Sequence, residues 1–122
     1  MPKILVVDDE VHIQKIIDYK LRTAGYTVIA AGDGLEGIEK AREERPDLIL
    51  LDVMMPRMDG FQALEALKRD PSTKAIPVFM LTVKGKEMDR VRGLKMGVAA
   101  YITKPFSPNA LLARIEETLR PT

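Results

Sequence analysis

Several polar side chains in this sequence stand at the ends of short apolar runs. They are Asp8 and Asp9, Asp52, Thr82 and Lys104. Carboxylate oxygens are the ligands that hard cations such as Mg²⁺ prefer, and a carboxylate can also accept a transferred group as a nucleophile. A lysine ammonium beside them stabilises the negative charge of a phosphoryl group. These residue types therefore indicate phosphoryl transfer next to a bound cation, if the fold brings them together.

The charge of such a site favours a divalent cation. Three aspartates and one lysine sum to −2, and an aspartyl phosphate adds roughly one more negative charge. Carboxylates at close range raise each other's pKa and destabilise the fold unless a cation offsets them, and Mg²⁺ returns the total to about −1. Asp52 is the predicted acceptor because it stands alone after its run, whereas the adjacent Asp8 and Asp9 are suited to hold the ion.

Each residue also has an ordinary structural role open to it. Asp8, Asp9 or Thr82 could cap a helix. Asp52 could begin a turn, and Lys104 could be a solvated surface lysine. One helix needs only one cap, so the joint pattern favours a shared site.

Composition excludes several other classes of function. The 122 residues contain no cysteine and one histidine, His12, which excludes a disulfide framework, a Cys-His nucleophile pair and a multi-histidine zinc site. The balance of 19 basic against 18 acidic residues gives a net charge of +1 and no electrostatic support for nucleic-acid binding. The apolar runs are too short for a signal peptide or a membrane span, so we expect a cytoplasmic protein without membrane contact.

Five continuous apolar runs predict buried strands. They are Ile4–Val7, Val28–Ala31, Leu48–Leu51, Val78–Leu81 and Ala99–Ile102. Their starts lie 20 to 30 residues apart, which leaves room for a helix after each strand and predicts a parallel sheet. We expect one α/β domain over residues 1–122, with its ligand site beyond the carboxyl ends of the strands.

Helical periodicity fills the segments between these runs. Gly25 ends the first helix, Asp33 with Glu36 predicts a capping box for the second, and Asp59 and Ser107 begin the third and fifth. A weaker pattern at Met88, Val91, Leu94 and Lys95 predicts the fourth helix, which Gly97 ends. The other apolar positions at helical spacing are Ile13, Ile16, Ile17, Leu21 and Ala24; Ala63, Leu64 and Leu67; and Leu111, Leu112, Ile115 and Leu119.

Four motifs together carry a family resemblance. They are Asp8-Asp9-Glu10, Leu50-Leu51-Asp52-Val53-Met54-Met55-Pro56 with Met58-Asp59-Gly60, Leu81-Thr82, and Tyr101-Ile102-Thr103-Lys104-Pro105-Phe106. In order, spacing and residue type, the sequence resembles the receiver domain of bacterial two-component response regulators over its whole length. The resemblance implies a doubly wound, flavodoxin-like (βα)5 fold whose five-stranded parallel sheet has the order 2-1-3-4-5.

The resemblance also implies a role for each site residue. Asp52 matches the phosphoacceptor, and Thr82 and Lys104 match the groups that contact the phosphoryl oxygens. Asp8, Asp9, Asp52 and the backbone carbonyl of Met54 match the ligands of Mg²⁺, Tyr101 matches the aromatic switch next to Thr82, and the Lys104–Pro105 bond matches a cis peptide bond.

The implied partners are a histidine kinase or phosphotransfer protein as donor and a downstream effector protein or domain. The domain would catalyse only its own phosphorylation and slow dephosphorylation, and a shift in population would change the face formed by the fourth helix, fifth strand and fifth helix. Kinase docking would use the first helix, at Ile13 or Ile16, and the loop around Pro105-Phe106. The sequence identifies neither kinase nor effector, and it leaves open dimerisation on phosphorylation and whether the domain stands alone or belongs to a longer regulator.

Two positions depart from the common family pattern. Val83 stands where Ala or Gly usually follows the switch threonine, and its branched side chain is expected to narrow access to Asp52 and slow phosphorylation. Met54, two residues after the acceptor, cannot orient an attacking water, and Lys84 is not an obvious base. We therefore predict a long-lived phosphoryl state.

Competing functions fit the motifs less well. Gly32–Gly37 fits G-x-G-x-x-G, but it follows the second run and puts Asp33 and Glu36 where a pyrophosphate would bind. A haloacid-dehalogenase-type phosphatase needs a second Asp at the position of Met54, and a degenerate receiver would lack an acidic or switch residue. His12 is expected to be an exposed helix residue, and copper binding by Met54, Met55 and Met58 is disfavoured by their Asp and Pro neighbours.

Overall fold

The computed structural model describes residues 2–83 and 87–120, with the backbone alone over residues 87–90. Strands and helices alternate along the chain without exception in these ranges: β1 Lys3–Val7, α1 Val11–Thr23, β2 Thr27–Ala31, α2 Gly34–Glu44, β3 Leu48–Asp52, α3 Gly60–Arg69, β4 Val78–Val83, α4 Glu87–Lys95, β5 Ala100–Lys104 and α5 Pro108–Leu119. Lys84, which the sequence does not favour as a base, lies outside the described residues.

The five strands form one parallel sheet in the order β2-β1-β3-β4-β5. The predicted fold class, strand positions and strand order are confirmed. The order reverses at β1, which lies between β2 and β3, and this reversal opens a crevice at the carboxyl ends of β1 and β3.

Helices cover both faces of the sheet, which explains why the strands are continuously apolar. Leu5 and Val7 of β1 pack into a cluster with residues of α2 and α3, whereas Ile4 and Val6 pack into a second cluster with residues of α1 and α5. Burying one side chain of this size stabilises the fold by about 1.5–3 kcal/mol. The two layers hold the strand ends, and hence the site, in fixed positions.

The first helix differs in part from its predicted apolar face. Ile17 and Leu21 are buried and Ile13 is partly buried, but Ile16 is 44% exposed and Ala24 is exposed as the C-cap. Periodicity overestimated the width of the buried face, because a helix lying on a sheet covers only a narrow stripe of its surface. Gly25 takes the predicted left-handed conformation, with φ of 99°.

The helix caps also refine the prediction. Asp33 accepts a hydrogen bond from the Glu36 N–H at 2.9 Å, but the Glu36 carboxylate accepts from the Gly32 N–H at 2.6 Å, so the box at α2 is displaced by one residue. Asp59 and Gln62 of α3 form a complete capping box. Within the described part of the chain, no helix is long and apolar enough to cross a membrane.

Candidate functional site

Asp8 lies at the carboxyl end of β1 and is completely buried. Its backbone N–H donates to the Ala31 carbonyl of β2 at 3.1 Å, which continues the sheet one residue beyond the strand. Its Oδ1 accepts the Glu10 N–H at 2.9 Å and its Oδ2 accepts from the Lys104 ammonium at 3.0 Å. The Asp8 side chain therefore does not cap α1 but connects the start of that helix to the end of β5.

Asp52 is the last residue of β3, and its side chain is 5% exposed. Its Oδ1 accepts the Met54 N–H at 3.3 Å and lies 3.4 Å from the Lys104 Nζ. The first residue of α3, Gly60, donates its N–H to the Val53 carbonyl at 2.8 Å, and a Cβ there would overlap the Asp52 carbonyl oxygen. A glycine is thus required where α3 begins, because this helix passes directly against the backbone that carries Asp52.

Lys104, at the end of β5, brings the carboxylates together. Its Nζ lies 3.0 Å from Asp8 Oδ2, 3.2 Å from Glu10 Oε1 and 3.4 Å from Asp52 Oδ1. The Lys104 side chain is 13% exposed. Burial alone would lower its pKa, but the hydrogen bond with Asp8 and the charges of Asp52 and Asp8 outweigh burial, so the pKa of Lys104 is raised and the ammonium stays charged.

Asp52 has the most strongly altered acidity in this cluster. Burial raises its pKa first, and the negative charge of Asp8 raises it further; the charge of Lys104 and the hydrogen bond from Met54 lower it in part. The result is a pKa of about 7 against an ordinary value of 3.8. The Asp52 carboxyl group is therefore partly protonated near neutral pH. The single positive charge of Lys104 does not fully stabilise its ionised form.

Thr82 and Tyr101 occupy the neighbouring strands. Thr82 of β4 is 4% exposed, and its hydroxyl has no hydrogen-bond partner among residues 2–83 and 87–120. A buried hydroxyl without a partner destabilises a fold by about 1–3 kcal/mol, and a bound group that formed a hydrogen bond with it would remove this cost. Tyr101 of β5 packs against the apolar cluster. Its ring lies so close to Gly93 of α4 that a Cβ on Gly93 would be only 2.7 Å from Tyr101 Cε2.

Asp9 and Met54 lie beside the cluster and not within it. Both line a cavity of about 510 Å³ whose wall continues along the loop after β3 to α3 and α4. Asp9 is exposed and Met54 is 57% exposed, so this cavity opens to solvent. The Lys104–Pro105 peptide bond, next to the cluster, is cis.

The acidic groups match the ligand preferences of a hard divalent cation. One carboxylate oxygen from each of Asp8, Glu10 and Asp52 lies within 4.8 Å of the others. With Lys104 they sum to −2, and the pKa of Asp52 is raised first by burial and then by the negative charge of Asp8. Oxygen donors with excess negative charge suit Mg²⁺ or a similar ion.

Glu10 is the site residue for which sequence reasoning gave no role. It directly follows Asp8-Asp9, but its side chain comes from the N-cap position of α1 and meets Lys104 across 94 residues of sequence. The acidic run was the only available signal, because nothing in the spacing shows which way a long side chain extends. His12 is an exposed helix residue, as predicted, with Nε2 3.6 Å from Glu10 Oε2.

Fold and site together define a doubly wound α/β protein with a buried acidic site at the point where strand order reverses. The chain belongs to the response regulator receiver domain family, whose family model matches residues 4–116. It is a receiver domain of two-component response regulators, and so a signalling phosphoacceptor domain.

Similar proteins include regulators about twice as long as this chain and a solved structure of similar length. The chain is 48% identical to the alkaline phosphatase synthesis transcriptional regulatory protein PhoP of Bacillus subtilis and 47% identical to the phosphate regulon transcriptional regulatory protein PhoB of Escherichia coli, with 97% of this chain aligned in each case. The alignments cover 48% and 52% of those proteins, so the chain spans about half their length. The structure of the chemotaxis response regulator CheY4 of Vibrio cholerae is similar with a TM-score of 0.91 and 36% identity, over 98% of this chain and 99% of that one.

Proposed function

We propose that Asp52 accepts a phosphoryl group from a phosphohistidine of a histidine kinase or phosphotransfer protein. The observation that carries this proposal is the placement of the Asp52 carboxylate, buried at the end of β3 and 3.4 Å from a charged Lys104. Within the described ranges this ammonium meets more carboxylates than its single charge balances. The 122 residues act as one receiver domain.

The transfer is a nucleophilic displacement. An ionised oxygen of Asp52 forms a bond to phosphorus, the P–N bond to the donor histidine breaks, and the imidazole leaves with the electron pair. Lys104 and the buried hydroxyl of Thr82 then donate hydrogen bonds to phosphoryl oxygens, which gives the hydroxyl the partner it lacks within the described residues. The domain catalyses only this transfer and the slow hydrolysis of its own acyl phosphate.

A bound Mg²⁺ fits this chemistry. Asp8, Asp9, Asp52 and the Met54 carbonyl would hold it, and the ion would neutralise charge on the acceptor and on the transferred group. This set is supported by the oxygen donors at the carboxyl edge and by the raised pKa of Asp52. Asp9 and Met54 line the cavity beside the acceptor, within reach of the solvent from which the ion would enter.

The output would be a shift in population that starts at Thr82. When its hydroxyl turns to a phosphoryl oxygen, it vacates space towards β5, and Tyr101, which now packs beside Gly93, can move inward. The face formed by α4, β5 and α5 would then bind an effector protein or effector domain. Dimerisation is one form that this output could take.

The donor would dock beside the site. On α1, the apolar residues Val11, Ile16 and Tyr19 are 59%, 44% and 74% exposed. An apolar helix face that the described part of the chain leaves uncovered suits a helical partner such as a kinase dimerisation domain, with the Pro105-Phe106 loop as a second contact. We place the domain in the cytoplasm, where such kinases present their histidines.

The phosphoryl state would be long-lived. Met54, which is 57% exposed, offers no hydrogen-bond donor and only a weak sulfur acceptor with which to orient an attacking water. Val83 is 47% exposed at the end of β4 and would narrow the access of solvent and phosphodonor to Asp52. Met54→Asn is expected to shorten the half-life, measured by decay of the phosphorylated mass; an unchanged or longer half-life contradicts this proposal.

The test of the proposed function is intact-mass measurement after incubation with Mg²⁺ and a small phosphodonor such as acetyl phosphate or phosphoramidate. Wild type should gain one phosphoryl group and Asp52→Asn should gain none. Asp47→Asn, which removes an exposed carboxylate at the opposite edge of the sheet, is the matched control and should be phosphorylated like wild type. Absence of the adduct from wild type, or its presence in Asp52→Asn, overturns the assignment.

A further inference from the structure

The position of Glu10 is unusual for a helix N-cap. Ser, Thr, Asp and Asn are preferred there because their short side chains accept a backbone N–H of the first turn. Glu10 makes no such bond to any described residue of α1, and its Oε1 instead lies 3.2 Å from the Lys104 ammonium. A residue that could contribute to the helix start contributes to the acidic site.

The Lys104 ammonium donates hydrogen bonds to Asp8 and Glu10 and forms an ion pair with Asp52. An ammonium has three N–H donors, and three carboxylate oxygens lie 3.0, 3.2 and 3.4 Å away, from Asp8, Glu10 and Asp52. A phosphoryl oxygen on Asp52 would compete with Asp8 and Glu10 for the N–H donors of Lys104, and its hydrogen bonds would strengthen if one of these carboxylates gave up its donor.

Exposure decides which carboxylate yields. The Asp8 side chain is 0% exposed, so without Lys104 it would be a buried charge with one backbone partner, Glu10 N–H. The Glu10 side chain is 46% exposed and would be hydrated on release. Asp52 is the group that carries the phosphoryl oxygens. Release of Glu10 thus has the lowest cost.

We propose that Glu10 is an exchangeable partner of Lys104. Glu10 binds the Lys104 ammonium while Asp52 is unphosphorylated, and a phosphoryl oxygen takes the place of Glu10 when Asp52 is phosphorylated. Glu10 is then a positioning residue that competes with the phosphoryl group, and it weakens binding of that group. The inference rests on the proposed function of Asp52.

The test measures the affinity for beryllofluoride, an analogue of the phosphoryl group. When it is bound to an aspartate, its fluorine atoms lie where the phosphoryl oxygens would be. Calorimetric titrations would compare Glu10→Gln, Glu10→Asp and wild type at saturating Mg²⁺, with the Mg²⁺ affinity of each measured first. Glu10→Gln removes the charge. Glu10→Asp keeps it but shortens the side chain and favours capping of α1, so the contact with Lys104 is lost. Glu65→Gln, an exposed carboxylate paired with Arg69 on α3, is the matched control.

Both Glu10 variants should bind beryllofluoride roughly 1.5-fold to fivefold more tightly than wild type, the range of an exposed ion pair, while Glu65→Gln is unchanged. Tighter binding in Glu10→Gln alone overturns the proposal, because it indicates charge and not contact. A fall in Mg²⁺ affinity of about tenfold or more in both, without tighter beryllofluoride binding, also overturns it, because Glu10 then supports the metal site and does not compete with the phosphoryl group. If wild type shows no phosphoryl adduct on Asp52, the proposed function itself fails; an adduct with unchanged affinities in the variants refutes only the role of Glu10.

Discussion

The two edges of the sheet use the same kinds of charged residue to opposite effect. At the amino edge, the Lys3 ammonium contacts Glu44 Oε1 at 3.1 Å and the Glu44 carbonyl at 3.2 Å, and the Lys3 N–H donates to Asp47 at 2.7 Å. The side chains of Lys3 and Glu44 are 34% and 40% exposed. At the carboxyl edge, the Lys104 ammonium contacts three carboxylates, two of which are buried.

The difference lies in burial and in charge balance, not in residue type. Lys3 and Glu44 neutralise each other in contact with water, and such a pair contributes little to stability or chemistry. The charges of Asp8, Glu10 and Asp52 exceed that of Lys104, and burial of Asp8 and Asp52 prevents water from compensating their charges. This imbalance is expected to destabilise the fold in the absence of a cation, and it is the property on which the proposed Mg²⁺ site depends.

The largest expected effect that separates the two edges comes from Lys104→Met. It leaves three carboxylates without a counter-charge, and breaking a buried pair lowers the free energy of unfolding by about 3–5 kcal/mol. Chemical denaturation in a chelator would measure the loss, and added Mg²⁺ should recover more stability in the variant than in wild type. A loss below about 1 kcal/mol would mean that the carboxylates are hydrated like those of the amino edge.

Asp52→Asn should stabilise the metal-free protein in a pH-dependent way. Because the folded pKa of Asp52 is raised from 3.8 to about 7, its contribution to wild-type stability is fully present below pH 3.8 and is lost as the pH rises to about 7. The advantage of the amide therefore grows over this window, to an upper limit of about 4 kcal/mol at pH 8 from 1.36 kcal/mol per pKa unit. Denaturation of both proteins at pH 5 and pH 8 tests this, and a pH-independent difference would contradict it.

Two buried threonines offer a smaller test of the same contrast. Thr73, in the turn before β4, donates its hydroxyl to the Leu67 carbonyl at 2.7 Å, whereas the Thr82 hydroxyl lacks a partner within the described chain. Thr73→Val should lower the free energy of unfolding by about 1–2 kcal/mol, and Thr82→Val should raise it by about 1 kcal/mol. Thermal and chemical unfolding of the two variants would measure the opposite signs; equal signs would show that Thr82 is satisfied.

The smallest effect is expected for Lys3→Met. Its exposed pair with Glu44 contributes about 0.2–1 kcal/mol, and salt screens it. The difference between wild type and variant should shrink towards zero in 1 M NaCl, at a Debye length of about 3 Å. A salt-insensitive loss of several kcal/mol would remove the distinction between the edges.

Most of the fold could be predicted because strand burial and sequence pattern coincide. In a doubly wound sheet both faces are covered, so each strand is a continuous apolar run, and the runs of β1 and β3 end at the residues that begin the site. Asp8, Asp52 and Lys104 could be found in this way, since parallel strands bring their carboxyl ends to one edge. The order of the strands came from the family resemblance.

What the sequence could not predict depends on side-chain reach and on the width of helix faces. Glu10 and Asp9 are adjacent acidic residues, yet Glu10 extends to Lys104 and Asp9 lines the neighbouring cavity. Ile16 and Ile17 are equally apolar, but only Ile17 faces the sheet. Residue type does not distinguish the members of either pair, because exposure and side-chain reach are set by the packing of α1 in the folded domain.

The contact between Asp8 and Lys104 joins residues 96 positions apart. A nascent chain on the ribosome presents Asp8 and Asp52 long before the strand that carries Lys104 has emerged. Until then the acidic groups lack their counter-charge, and a partly synthesised regulator cannot assemble the acceptor pocket. We therefore expect a truncated chain that ends before β5 to leave the buried carboxylates of Asp8 and Asp52 without this counter-charge.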